Sequence, residues 1–320
     1  MGATSIQWCD FTLNPILGCS KVSEACRDCY AEVSTPVRVH RSRGVELWGD
    51  AGARHETKGW EAQARRWNRA AEKEGRRARV FCASLSDVFE DRAEWVPVRA
   101  RLARLVAETP HLDWLLLTKR PENAHRLWAA ACPFADAQAD ARAQAEEDDD
   151  DLDLDPGACV CGDHACCAEG WIPNVWLGTT VENQARADER IPHLLAVPAA
   201  VRFLSCEPLL ERVDLSRWLP ATSGNCGHCG GIDGGHDRAH HGYDADGHGV
   251  DWCIIGGESG SRARPFNIAW ARDLVSQCRA AGVAPFVKQL GANPRVKHEI
   301  GDASEWPEDL RVREFPKVPS

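Results

Sequence analysis

Six short apolar runs constrain the fold more than any other feature of this chain. They are Arg79–Ala83 (RVFCA), Asp113–Leu117 (DWLLL), Val175–Gly178 (VWLG), Val201–Leu204 (VRFL), Trp252–Ile255 (WCII) and Ala284–Val287 (APFV), each closed by polar or glycine residues. Continuous apolar runs of this length, without polar alternation, suit strands buried on both faces, as in a parallel sheet. Segments with helical spacing lie between them: Trp60–Arg77, Val98–Glu108, Pro121–Ala131, Asn183–Ala196 and Asn267–Ala281, with Pro121 and Asn183 placed as helix starts and Gly282 as a stop. The alternation predicts βα units with right-handed crossovers. Ser5–Thr12 is a candidate first strand ahead of them.

Two stretches break the pattern. Residues 132–170 are acidic and cysteine-rich, and residues 220–250 are rich in Gly and His. Without them 250 residues remain, about the usual size of a (β/α) barrel. The expectation is one barrel-like domain over residues 1–320, a (β/α) barrel or partial barrel carrying two Cys/His-rich insertions. An open doubly wound sheet is the alternative.

Charge adds little to this. Of the formal −10, eight negative charges lie in EEDDDDLDLD (Glu146–Asp155), which reads as a solvated linker, so the remainder is close to neutral. Arg38–Arg104 carries an excess of six positive charges, weak support for a polyanionic partner. No apolar run approaches the roughly 18 residues of a membrane helix, and Met1–Asp10 has neither the basic start nor the apolar stretch of a signal peptide. The chain is expected in the cytoplasm, away from membranes.

Each run ends in residues that packing alone would not choose: Ser84/Ser86/Asp87, Thr118/Lys119/Arg120, Thr179/Thr180/Glu182/Asn183, Ser205/Glu207, Glu258/Ser259 and Lys288/Gln289. In parallel α/β sheets the carboxyl ends of the strands converge where ligands bind, which predicts a polar pocket there. Glu207 and Lys288 are candidate acid, base or substrate-binding groups, or a structural pair. Thr180 and Ser205 are candidate cofactor contacts, and Thr118-Lys119-Arg120 offers donors for a phosphate.

The most specific motif follows the first candidate strand: GCSKVSEACRDCY, Gly18–Tyr30, with its cysteines spaced C-x6-C-x2-C. Fifteen cysteines cannot all pair within one chain, and their close sets suggest metal ligation. Cys19, Cys26 and Cys29 could hold three corners of a [4Fe–4S] cluster and leave one iron open. Zinc, which needs a fourth ligand in a structural site, and unligated thiols remain open readings. Cys226, Cys229, His236 and His240 in the second insertion form a candidate zinc set, and Cys159, Cys161, His164, Cys166 and Cys167 in the first could bind another ion.

A three-cysteine loop after the first strand of a βα barrel resembles the radical S-adenosylmethionine superfamily, with six residues in the first gap where that superfamily usually has three. More closely, the chain resembles an uncharacterised family of phage and prophage proteins with this motif. The matching phrases are Trp8 with Asn14-Pro15, GCSKVSEACRDCYAE, DVFEDR, LLLTKRPEN, WLGTTVENQ, RIPHLLAVPAAVRFLSCEPLL, IIGGESG-x-x-ARP and FVKQLG. The resemblance implies a [4Fe–4S] cluster on Cys19, Cys26 and Cys29, with S-adenosylmethionine on the open iron. Reductive cleavage would give a 5′-deoxyadenosyl radical, supplied with electrons by a reductase or flavodoxin-like donor. Gly256-Gly257-Glu258 is similar to the element that receives the methionine amino group. A nucleic acid or nucleotide is the implied substrate class. The alternative function is a non-catalytic, zinc-stabilised nucleic-acid-binding or adaptor protein. A metal-dependent hydrolase is disfavoured, because no H-x-H or H-E-x-x-H element occurs at the strand ends.

Overall fold

All six apolar runs form strands, and the polypeptide lays them side by side in chain order. The computed structural model describes residues 4, 6–131, 173–220, 249–292 and 303–317. Seven parallel strands make one curled sheet, a half-barrel: β1 Phe11–Leu13, β2 Ala78–Cys82, β3 Leu112–Thr118, β4 Val175–Thr180, β5 Val201–Cys206, β6 Trp252–Gly256 and β7 Ala284–Gln289. The order runs linearly from β1 to β7, without the reversal that defines a doubly wound sheet. The partial-barrel expectation therefore stands and the open doubly wound alternative falls. Residues 132–170 lie outside the described residues, as do 221–248 of the second insertion and with them Cys226, Cys229, His236 and His240.

The helices are α1 Thr35–Arg41, α2 Trp60–Lys73, α3 Trp95–Ala107, α4 Ala124–Ala129, α5 Gln184–Leu195 and α6 Ile268–Ala280. Asn183 caps α5 by accepting from Arg186 N at 2.9 Å, and Asn267 caps α6 by accepting from Ala269 N at 3.1 Å. Gly282, with φ of +70°, stops α6 as expected. Pro121 opens a short 3-10 turn, and α4 follows it. The first strand is shorter than the Ser5–Thr12 prediction, since Trp8 and Cys9 turn inward ahead of it. Helix α1 falls among the positive residues that follow the cysteine loop, where no apolar periodicity announced it.

Burial on both sheet faces explains the continuous runs. Val80, Cys82, Trp114, Leu116, Leu177, Leu204, Cys253 and Ile255 pack outward with the helices. Phe81, Leu115, Trp176, Phe203, Trp252, Ile254 and Phe286 pack inward with Trp8. Trp252 is the hub of this inner layer, with Trp176 at 6.1 Å edge-on, Phe203 at 5.8 Å and Phe286 at 5.9 Å between ring centroids. Such pairs add about 0.5–1.5 kcal/mol each beyond area burial. The carboxy-terminal segment finishes the half-barrel: Val287 N donates to Val312 O at 2.8 Å along the β7 edge, and Arg79 of β2 lies 3.9 Å over the Phe315 ring.

The inner face changes character along each strand. Its aromatic layer gives way towards the carboxyl ends to Gly178, Thr180 and Ser205, and then to Glu207 and Lys288. Gly178 and Phe203 are register partners, and a Cβ on Gly178 would sit 2.4 Å from the Phe203 ring. Gly178→Ala should therefore cost about 1–3 kcal/mol by overpacking. In a Phe203→Leu background the cost should shrink, as read from urea denaturation of all four proteins. An equal cost in both backgrounds would show that the ring contact is not the cause.

Candidate functional site

The loop carrying Cys19, Cys26 and Cys29 has no strand and only two 3-10 turns, Glu24–Cys26 and Tyr30–Val33, so its shape comes from what it touches. It begins at Gly18, just after Ile16–Leu17, which pair antiparallel with His55–Glu56 outside the main sheet. At Gly18 φ is +110° and a Cβ would meet Leu47 O at 2.4 Å, so only glycine allows this approach. Gly18 N donates to Leu85 O at 3.1 Å and Gly49 N to Cys19 O at 2.9 Å.

Two buried ion pairs then hold the Cys19 end. Arg54 forks onto Glu90, with Nε to Oε2 and Nη2 to Oε1 both at 2.6 Å, and Ser20 donates to the same Oε1 from N at 3.1 Å and Oγ at 2.6 Å. Burial pushes the Glu90 carboxyl up, but Arg54 and Ser20 together hold it below the usual carboxylate range. Arg120, at the end of β3, donates from Nη1 to Asp87 Oδ2 at 2.9 Å and from Nη2 to Ser20 O at 3.0 Å. Its Nη1 also reaches Cys19 Sγ at 3.8 Å. Asp87 in turn accepts from Thr118 Oγ1 at 2.7 Å and from Phe89 N at 3.0 Å.

The far part of the loop is tied from the other side of the half-barrel. Arg264 Nη1 donates to Glu24 O at 3.0 Å, Arg186 meets the Glu24 carboxylate at 3.3 Å, and Arg262 lies 3.6 Å from Asp28. Tyr30 Oη donates to Ser84 O at 2.9 Å.

The loop thus folds over the carboxyl end of the sheet and walls a cavity of about 360 Å³. All three cysteines line it, together with Thr180, Ser205, Glu207, Glu258 and Lys288. Thr180 and Ser205 are register partners on β4 and β5, and the Thr180 hydroxyl is buried without a hydrogen-bond partner among the described residues. Glu207 Oε1 accepts from Lys288 Nζ at 2.5 Å and from Gln289 Nε2 at 2.6 Å. Trp8 and Phe81 supply an aromatic floor.

Three expectations change here. Gly256 and Gly257 do not line the cavity; they permit close packing, since a Cβ on Gly257 would sit 2.7 Å from Gly291 Cα. Glu258 lines it, but both its oxygens are engaged by Arg264, from Nη2 to Oε1 at 2.5 Å and from Nε to Oε2 at 2.8 Å. Arg120 is no free phosphate donor, because Asp87 and the cysteine loop occupy its guanidinium.

Among the described residues, no three Cys, His, Asp or Glu side chains are gathered as a metal-binding group. The three thiols share one cavity without converging on a point. Burial and the neighbouring Asp87 charge push the Cys19 thiol up to about 12, with Arg120 opposing them. The sequence reading missed Arg54, Glu90 and Arg264. Glu90 had a signal in DVFEDR and Arg264 in the ARP that follows IIGGESG, whereas Arg54 stands in no motif.

Glu90→Gln leaves Arg54 buried without its counter-charge and should cost about 3–5 kcal/mol. A carboxyl lowered in the folded state stabilises fully above its unfolded pKa of ~4.3 and loses that contribution as pH falls through the lower folded value. The native protein should therefore lose stability on acidification below that point more steeply than the Glu90→Gln variant. Parallel acid profiles in chemical denaturation would refute the assignment.

No curated protein and no solved structure matches the chain. Over residues 3–315 it matches the family described as protein of unknown function (DUF5131), and the chain belongs to that family.

Proposed function

We propose that the chain is an iron–sulfur enzyme of the radical S-adenosylmethionine type. One observation carries this reading: three thiols from a single loop line one cavity at the carboxyl-end mouth of a parallel half-barrel. The donor set fits a cluster better than a structural zinc ion. A closed zinc site takes four protein ligands, and neither a fourth cysteine nor a histidine occurs among the described walls. The cavity's carboxylates already have cations: Asp87 has Arg120, Glu207 has Lys288, Glu258 has Arg264 and Asp28 has Arg27.

Cys19, Cys26 and Cys29 would hold the [4Fe–4S] cluster, which when bound supplies one-electron reductive cleavage of S-adenosylmethionine. The chain's own groups do the rest. Both bonds to Glu207 fall on Oε1, so Oε2 is left to accept from an amine or hydroxyl of a ligand. Lys288, fixed against Glu207, places a positive charge where a ligand carboxylate or phosphate would lie. Thr180 and Ser205 add hydroxyls at the next level down, and the Trp8–Phe81 floor keeps water from the deep end. An electron donor, a reductase or flavodoxin-like protein, is the implied partner. Nucleic acid or a nucleotide, within a phage-related modification pathway, is the substrate class that the family resemblance supplies.

The competing reading, a zinc-stabilised nucleic-acid-binding or adaptor protein, rested in part on the positive excess of Arg38–Arg104. Three of those six charges are met by carboxylates from outside the stretch: Arg65 by Glu108, Arg77 by Asp113 and Arg79 by Asp10. Its other support, the candidate zinc residues Cys226, Cys229, His236 and His240, lies outside the described residues.

Anaerobic reconstitution with iron and sulfide should give a brown protein, and reductant with S-adenosylmethionine should release 5′-deoxyadenosine. Cys26→Ala should lose both colour and product, whereas Cys278→Ala, buried on α6 away from the cavity, should keep them. A colourless wild type with zinc as its only metal would overturn the proposal.

A further inference from the structure

We propose that Arg120 is a positioning residue that sets the reduction potential of the centre held by the cysteine loop, acting through Cys19. The inference rests on the iron–sulfur reading above. Among the described residues, Arg120 alone joins a cation, a cavity thiol and the loop backbone in one buried contact set. Its side chain is 9% exposed, and its Nη1 is shared between Cys19 Sγ at 3.8 Å and Asp87 Oδ2 at 2.9 Å. Nη2 is anchored on Ser20, to O at 3.0 Å and Oγ at 2.9 Å. The fork therefore fixes the residue after Cys19 and aims one N–H at the cysteine sulfur.

Hydrogen bonds to ligating sulfurs and the net charge nearby are two of the determinants of an iron–sulfur potential. Reduction adds one negative charge, which a cation at the sulfur stabilises, so Arg120 raises the potential. Asp87 lies on the other side of the same guanidinium and opposes it. The pair acts as a matched cation and anion whose two members pull the potential in opposite directions. Neither charge is exposed enough for salt to screen it strongly.

The test is a redox titration of reconstituted protein, without S-adenosylmethionine, followed by the EPR signal of the reduced cluster. Electrons come one at a time from dithionite through mediators. Arg120→Gln should lower the reduced-to-oxidised ratio at least tenfold at a fixed applied potential, a shift of about 59 mV for a one-electron couple. Asp87→Asn should shift it in the opposite direction, and Arg120→Lys, which keeps the charge, should fall between Arg120→Gln and wild type. A role confined to folding would not give opposite signs for two partners of one ion pair. Unchanged potentials in variants that hold the cluster overturn this inference alone. Loss of the cluster from all three variants reduces Arg120 to a loop clamp and also overturns it. A wild type that forms no cluster overturns both this inference and the reading beneath it.

Discussion

The buried ion pairs Arg54–Glu90 and Arg120–Asp87 are what the candidate site depends on. Residues 18–34 have no strand or α-helix of their own, and ordering such a segment costs about 1–2 kcal/mol of backbone entropy per residue. The offset comes from outside the segment. Glu90 gathers both Ser20 donors and the Arg54 fork, and Arg54 spends Nη1 on carbonyls such as Gly52 O at 2.8 Å. One carboxylate thereby joins the loop around residue 52, the strand-end segment 87–92 and the cysteine loop. A buried pair is not in itself a strong source of stability. Its effect here is to define a single position for a loop that has no regular structure to define one.

The half-barrel decides where that loop can act. With helices covering its outer face, the sheet leaves its concave side to side chains alone, and these are graded from aromatic to hydroxyl to charged along the strands. Among the described residues, large rings fill the amino-terminal part, and the cavity lies towards the carboxyl ends. Trp8 and Phe315, from the two ends of the described chain, both pack on Trp252, at 6.2 and 5.4 Å. The open side between β1 and β7 is thus closed at its base by contacts distant in sequence. What stays open is the mouth, and the cysteine loop lies across it.

The architecture was legible because its signal is local. Strands buried on both faces must be apolar throughout, and their ends were visible as abrupt changes to polar residues, from Arg79–Ala83 through to Ala284–Val287. The short first strand was overdrawn because Trp8 and Cys9 are apolar for a different reason: they fill the concave side. The site was half legible. Thr180, Ser205, Glu207 and Lys288 come together because each stands just past, or near the end of, a strand that the pattern located, and the motif spacing marked Cys19, Cys26 and Cys29 as one set. The arginine contacts were not legible. Arg54 and Glu90 are 36 positions apart, and Arg120 finds Ser20 across 100 residues. No periodicity links such partners, so a sequence reading takes Arg120 for a free phosphate donor.

The anchors also differ in strength along the loop, and this bears on how three separated thiols could serve one centre. At Cys19 the partners are buried: the side chains of Arg54, Glu90, Arg120 and Asp87 are each less than 10% exposed. Towards Cys26 and Cys29 one tie, to Glu24 O, comes from Arg264, which is 18% exposed and forked onto Glu258, while the ion pairs run through more exposed groups. Arg186 and Glu24 are 27% and 52% exposed, and Arg262 is 66% exposed, so solvent screens these attractions and they contribute little. A centre bound by all three sulfurs would therefore form at least cost by drawing Cys26 and Cys29 towards Cys19. The end with the buried partners carries the arginine contact to sulfur; the end with the more exposed ion pairs carries the other two thiols.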